Sequence, residues 1–522
     1  MSSIVTDQFR ILNADNFVNS VIDSSNSYYV FLGLPNPDPS TIGFGRTDSW
    51  DSNPPVPVDN TDYLTNYKDT AIFGKKITSA NIRRIIRKVT WTSNVKYEMY
   101  RHDYSVQNPS PNSNSYRLYD ANYYVINSQY RVYICIDNGS SGESPKGNGS
   151  QDEPTFTDLE PSPAGESGDG YIWKYLFTVS PSDVVKFDST EYIVVPNEWS
   201  TTTDSQIVSV RTNGDSTVNN NQIKKVYIEN GGLNYQSGTV DILGDGTGGQ
   251  VLIETDPGTG KIISATVTAG GTGYTYGIVN LGPIQPPGTI QNPAKLIPII
   301  PPSKGHGYDI YKELGTDKVL IYARFDDSTK DFPLDTKFSQ IGILKNPTTY
   351  GSSTNIFTQS QFSSLYSIKL VSTFSGTPTI GQQISQTVTN GTAKGYVASY
   401  DSETKVLKYY RDRSLYYSPT GNHSDQTDYD TVSEDSKVLN FESSANTISP
   451  FSGSIDTSFG ASSPENKITI NNKVIDLGVS FTSGLANPEI NKTSGDIIYI
   501  DNRPLVSRDP RQKEDIKIIL EF

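Results

Sequence analysis

The chain has 522 residues, 34% of them hydrophobic, and carries 43 Lys plus Arg against 57 Asp plus Glu, a net charge of −14. This length predicts about three or four compact units, and the acidic balance argues against broad affinity for phosphate backbones and hence against nucleic acid as a partner. Cys135 is the single cysteine, so there is no intrachain disulfide and no zinc-ligand spacing, while a start without a basic-then-apolar leader and the lack of a long apolar run predict neither signal peptide nor membrane span.

The 33 Tyr and 19 Phe supply large buried areas, and the 42 Gly and 31 Pro supply turns, a mixture that favours many short strands. The predicted fold class is mainly β. In chain order, Ala14, Phe17, Val18, Val21 and Ile22 recur at helical spacing behind Asn13 or Asp15 as caps, predicting a helix over 13–23. A β run follows at 28–34, then a loop carrying Phe44, Gly45, Arg46 and Trp50 and the Asn-Pro-Pro-Val-Pro arm at 53–57, which reads as an ordered surface arm. Thr78 or Ser79 then caps a predicted helix with Ile82, Ile85, Ile86 and Val89 on one stripe. Its basic residues Arg83, Arg84, Arg87 and Lys88 read either as a solvated face or as a contact with an acidic partner.

Strands are predicted at 96–100, 123–127 and 131–137, and a long exposed loop at 138–167 leads into GDGYIWKYLFTVSPSDVVKFDSTEYIVVP, residues 168–196. There Tyr171, Trp173, Tyr175 and Phe177 alternate with Ile172, Lys174 and Leu176 at the period of a strand, so the motif reads as sheet core. Beyond Trp199 a repeat with an offset of 39 places Gly231, Gly232, Tyr235, Gly238 and Val240 on Gly270, Gly271, Tyr274, Gly277 and Val279, which predicts a small paired β module. A proline-rich stretch at 283–304 reads as a semi-rigid spacer, and strands resume at 318–325 and 339–344. Further strands are expected at 366–371, 395–400 and 405–410. The Ser/Asp-rich stretch 414–465 reads as a mobile loop or one ordered only by its neighbours, and two strand runs close the chain from Ser494.

Candidate chemistry is sparse. GDGTGG at 244–249 is followed by strand-like alternation rather than by a helix, so it reads as a turn and not as a phosphate loop. His102, His306 and His423 share no metal or catalytic spacing. Asp425, Asp428 and Asp430 lack the glycine and terminal Glu of a calcium loop, and no GxSxG elbow is present. The sequence thus gives no catalytic, cofactor or metal residues, and an enzyme is not expected.

Three motifs in one order resemble a known family: FGR with Trp50 and the Pro-Pro-x-Pro arm; GDGYIWKYLF followed by EYIVVP; and GDIIYIDNRP with the closing DIKIILEF. Together they are similar to the dimeric baseplate wedge subunit of T-even-like contractile-tailed bacteriophages, over about 1–200, less clearly 305–347, and 490–522. The resemblance implies a mainly β fold, a β-sandwich scaffold with a small α/β part near the termini and inserted β modules, in a non-enzymatic virion protein that is made in the host cytoplasm, built into the tail baseplate, forms a homodimer in each wedge and binds other wedge proteins. It implies no cofactor, nucleic acid or membrane. The expected organisation is an N-terminal scaffold at 1–200, an inserted repeat module at 201–282, a connector at 283–304, a scaffold segment at 305–347, a second inserted module at 348–489 and scaffold strands at 490–522. Gly168, Asp169, Gly170, Tyr171, Trp173, Tyr175, Phe177, Tyr192, Pro196, Asn502, Arg503 and Pro504 are the structural motif residues. Arg46, Trp50, Arg83, Arg84 and Arg87 are the candidate interface. The central motif is further expected to pair with the C-terminal strands. An alternative reading is a receptor- or carbohydrate-binding tail protein, because tyrosine-rich β modules suit sugar stacking.

Overall fold

The computed structural model describes residues 5–35, 49–286, 292–325, 337–389, 391–411, 439–507 and 513–522. They form a mainly β protein with several antiparallel sheets and a few short helices. Two compact units are present: one takes in the described residues of Met1–Val18, Arg83–Leu320 and Ile519–Phe522, the other those of Asn19–Ile82 and Ile321–Ile518. Residues 19–82 therefore group with the second half of the chain and not with 83–200. Among the described residues no helix is long and apolar enough to cross a membrane.

In the first unit the central strand, Tyr171–Thr178, lies between Arg131–Asn138 and the short Ser162–Pro163, and Tyr124–Ile126 completes a four-stranded sheet. Tyr171, Trp173 and Tyr175 are fully buried. Lys174 and Leu176 are buried too, because the helix Ser205–Gly214 covers the opposite face. Alternation thus located the strand but not its second covered face. The Ser-Pro-Ser-Asp break after it starts a helix, Pro181–Phe187: Ser180 Oγ accepts from Asp183 N at 3.2 Å, and Pro181 occupies the first turn, where its missing N–H costs nothing.

Several expectations are corrected. The helix predicted behind Thr78 is a strand, Ile82–Arg87, antiparallel to Tyr192–Val195, with Arg84 opposite Val195 and Arg87 opposite Tyr192. Only residues Ser79–Asn81 make a helical turn. Isoleucines at 82, 85 and 86 are all buried, and a strand covered on both faces satisfies the same spacing with β-branched residues that favour extended backbone. The N-terminal helix is Asp7–Ile22, so Asn13 and Asp15 are interior to it and not caps. Residues 96–100 are no strand but an irregular segment burying Tyr97, Met99 and Tyr100. The central strand pairs with its neighbours at 131–138 and 162–163, and Tyr192–Val195 pairs with Ile82–Arg87. Neither pairs directly with the C-terminal strands.

The 39-residue repeat is visible as a structural exchange. Ile262 N donates to Gly231 O at 2.9 Å, and its counterpart Ile223 N donates to Gly270 O at 3.1 Å. Ile223 and Ile262 are both fully buried in one core with Val240, Val279, Tyr235 and Tyr274. Gly232 and Gly271 have φ of +59° and +65°, the left-handed region that disfavours a Cβ. The two tyrosines differ in their bonds: Tyr274 Oη donates to Ile242 O at 2.8 Å and accepts from Gly249 N at 3.1 Å, whereas Tyr235 Oη accepts from Ala294 N at 3.0 Å. Tyr274→Phe leaves a buried donor and acceptor unpaired, and is expected to cost about 1 to 3 kcal/mol; Tyr235→Phe is expected to cost less, about 1 kcal/mol. Thermal unfolding of the two variants measures the difference. The stretch read as a spacer is partly built into this core: Lys295–Pro298 pairs with Val226–Asn230, and Ile284, Leu296 and Ile300 are buried in it.

In the second unit a five-stranded sheet runs in the order Gln361–Ser363, Ala71–Ile77, Tyr28–Gly33, Lys337–Lys345, Asp496–Ser507. Another has Gln383–Val388, Gly391–Asp401, Val406–Arg411, Tyr366–Lys369 and Leu485–Ala486, and Glu465–Ile470 forms a hairpin with Lys473–Phe481. Of the stretch 414–465, read as a mobile loop or as a segment ordered only by its neighbours, residues 414–438 lie outside the described residues. The rest packs: Phe441, Ile448 and Ile455 belong to the core around Ile368 and Leu407. A few widely spaced apolar residues sufficed to order it.

Candidate functional site

The Gly-Asp-Gly turn before the central strand is clamped by its own aspartate. Asp169 Oδ1 accepts from Tyr171 N at 2.9 Å and Oδ2 from Gln151 N at 2.8 Å, while its carbonyl accepts from Asn148 Nδ2 at 2.7 Å. Gly168 and Gly170 have positive φ, and a Cβ on Gly170 would sit 2.8 Å from Gly139 Cα. The turn delivers Tyr171 into a ring cluster: Tyr171 stacks on Trp173 at 5.3 Å, and Tyr97 meets Trp173 edge-on at 5.8 Å. Tyr171 Oη donates to Asn148 O at 2.8 Å, and burial pushes this phenol far up from its ordinary value. Tyr175 Oη and Thr178 Oγ1 are 2.8 Å apart, Phe177 meets Trp199 edge-on at 6.3 Å, and Tyr311 Oη donates to Pro196 O at 2.9 Å. Tyr192, half-buried, is held by Ser189.

The first and third motifs meet in the second unit. Trp50 is buried and donates from Nε1 to Arg503 O at 2.8 Å. Asn502 Nδ2 donates to Pro55 O at 2.9 Å and Leu505 N donates to Asp51 Oδ1 at 2.9 Å. Asn502 also accepts from Gln340 Nε2 at 2.9 Å, which fixes its amide. The proline arm is thus strapped along the last strand of its sheet by residues about 450 positions away in sequence. Arg503 and Pro504 are exposed beside it, and Val56, at 85%, is exposed on the arm. Trp50, expected as an interface residue, is here a buried anchor. Arg46 lies outside the described residues.

The basic cluster is largely engaged within its own unit. Arg83 pairs with Asp183 at 2.9 Å and lies over the Phe187 ring, and Lys88 pairs with Asp188 at 2.8 Å. Arg84 is buried: Nε is 2.6 Å from Asp15 Oδ1, and the guanidinium sits 4.1 Å from the centre of the Tyr311 ring. Arg87 is exposed and donates to the carbonyls of Asp120 and Ala121 at 3.0 and 3.1 Å. It borders a cavity of about 400 Å³ that Tyr119, Tyr124, Tyr192 and Lys318 also line. A charge run in sequence therefore becomes one exposed and three engaged cations.

Of the histidines, His102 accepts from Ile300 N at 3.2 Å, and His306 is buried with Nδ1 2.6 Å from Glu313 Oε1 and Tyr100 edge-on at 4.8 Å. His423 and the Asp425, Asp428 and Asp430 cluster lie outside the described residues. No group of three His, Cys, Asp or Glu among the described residues is placed to hold a metal. GDGTGG is a strand-to-strand turn, held by Asp245, which accepts from Thr275 Oγ1, from Thr275 N at 2.9 Å and from Tyr276 N at 3.2 Å; the Thr275 hydroxyl first, and then the backbone N–H groups, lower its carboxyl to about 2. The sequence reading missed the partners of Arg84, Asp15 and Tyr311, which come from distant segments with no local signal, and it missed the pairing of His306 with Glu313 across seven positions.

Residues 125–231, which hold the central strand and its sheet partners, match the family model described as Bacteriophage T4, Gp8. The chain is also 27% identical over 226 residues to the baseplate wedge protein gp8 of Enterobacteria phage T4, a match covering 37% of this chain and 60% of that relative. The family match runs past 200, the point where the scaffold was expected to end, into the first copy of the repeat. Both matches bear out the resemblance carried by the motifs: across this part the chain is similar to a T4-like baseplate wedge subunit.

Proposed function

We propose that this protein is a structural component of a phage contractile-tail baseplate, forming a dimer in each wedge and linking neighbouring wedge proteins. The observation that carries the reading is the match over 125–231, a stretch that contains the fully buried Tyr171, Trp173 and Tyr175. Its partners are a second copy and other wedge proteins, its place is the virion tail, and its role is non-enzymatic. Exposed features suited to contacts are the strapped arm with Val56, Arg87, and a patch on the repeat module where Leu243 stands opposite Ile278 beside Tyr276. That patch is apolar, which suits a protein surface better than a sugar, and supports assembly over the carbohydrate-binding alternative. The modules at 201–282 and 348–489 are, in this reading, additions to the wedge scaffold. Size-exclusion chromatography with light scattering is expected to give a dimer. A strictly monomeric chain that is also absent from purified tails would sink the proposal.

A further inference from the structure

The helix Ser205–Gly214 is held against the central strand by four side chains that the assembly reading does not use. Lys174, on the strand, is 2% exposed, and its Nζ lies 2.7 Å from Asn213 Oδ1 and 2.6 Å from Leu159 O. Asn213 Nδ2 donates to Glu160 Oε1 at 2.7 Å. Asn219, 5% exposed, donates from its own Nδ2 to the same Glu160 oxygen at 2.8 Å and to Asn213 Oδ1 at 3.3 Å. A buried amine therefore touches a carboxamide whose nitrogen is bound to a carboxylate and whose oxygen receives a fixed N–H.

We propose that Lys174 and Asn213 form an intramolecular isopeptide bond, with Glu160 as proton shuttle and Asn219 as oxyanion donor. The Lys174 Nζ lone pair attacks Asn213 Cγ, one bond beyond the oxygen it already contacts, and a C–N bond forms. Charge that gathers on Oδ1 is met by the Asn219 N–H. Glu160 takes a proton from the attacking nitrogen and passes it to Nδ2, the Cγ–Nδ2 bond breaks, and ammonia leaves. Amine plus primary amide gives secondary amide plus ammonia, so no oxidant or further reactant is required.

The surroundings favour the nucleophilic form of the amine. Burial lowers Lys174 from its ordinary value to about 8, against the opposing pull of Glu313 and Glu160, while Lys224 adds to the lowering. Roughly one molecule in ten then carries the neutral amine at neutral pH, against a few in ten thousand for an exposed lysine. Proximity supplies the rest, because strand and helix hold the two groups in contact with no encounter to wait for. The bond joins residues 39 positions apart and fixes the helix to the sheet.

The experiment is denaturing mass spectrometry of the full chain, followed by tryptic mapping. The wild type is expected to be lighter than its sequence by one ammonia, and to yield a branched peptide joining Lys174 to Asn213 with no cleavage after Lys174. Lys174→Arg and Asn213→Ala are expected to show their full sequence masses, and Glu160→Gln to slow bond formation by about a hundredfold or more at alkaline pH. Because Asn213 precedes Gly214, a cyclised asparagine would also lose ammonia. Loss that persists in Lys174→Arg, on a linear peptide, overturns the proposal. So does a wild type that keeps its full mass after alkaline incubation with Lys174 still open to acetylation.

Discussion

Replacing Trp173 with alanine is expected to lower the stability of the first unit by about 3 to 5 kcal/mol. The ring has no exposed surface, lies at 5.3 Å on Tyr171 and receives the edge of Tyr97 at 5.8 Å. Its Nε1 has no hydrogen-bond partner among the described residues, so the loss is one of packing and not of a bond. Trp173→Phe should for that reason recover most of the stability, since a phenyl ring keeps the stack and leaves a smaller void. Urea unfolding followed by far-UV circular dichroism gives both numbers without relying on the fluorescence of the residue removed. An alanine variant as stable as the wild type would mean that the ring is exposed and that the motif serves a contact surface instead.

How much of this was legible in the sequence depended on whether the signal was local. The strand of Tyr171 to Phe177 announced itself by a period of two, and the repeat by glycines and tyrosines at one fixed offset; both are properties of neighbouring residues. The isoleucines at 82, 85 and 86 also carried a local signal, but an ambiguous one. The spacing that makes one helix stripe also fills both faces of a covered strand, and only the pairing with Tyr192–Val195 decides between them. Arg84 and Lys174 were opaque for a further reason. Arg84 reads as part of a solvated basic face and Lys174 only as a member of the strand's alternate face, yet each is buried because its partners, Asp15 and Tyr311 in one case and Asn213 and Leu159 in the other, arrive from other segments. The meeting of Trp50 with Arg503 was equally beyond periodicity, although the two motifs were singled out separately as belonging to one family.

Removing Asp15 tests what became of the predicted basic face. Arg84 has a side chain only 5% exposed, and its one carboxylate partner among the described residues is Asp15, at 2.6 Å and 28% exposed. Asn197 at 3.4 Å and the Tyr311 ring at 4.1 Å are neutral and cannot replace a charge. Breaking a fully buried pair from one side costs about 3 to 5 kcal/mol because the remaining ion stays desolvated. Asp15 is partly open and water can enter beside it, so Asp15→Ala is expected to cost about 2 to 3 kcal/mol. Arg87→Ala, at an exposed residue that donates to the carbonyls of Asp120 and Ala121, should change stability by no more than about 0.5 kcal/mol. The double variant Asp15→Ala, Arg84→Met removes the stranded charge and fills its space, so it should regain part of the loss. That pattern in thermal unfolding of the isolated chain places Arg84 in the fold. Equal, negligible losses from Asp15→Ala and Arg87→Ala would return Arg84 to the role the sequence suggested, a cation kept for a partner.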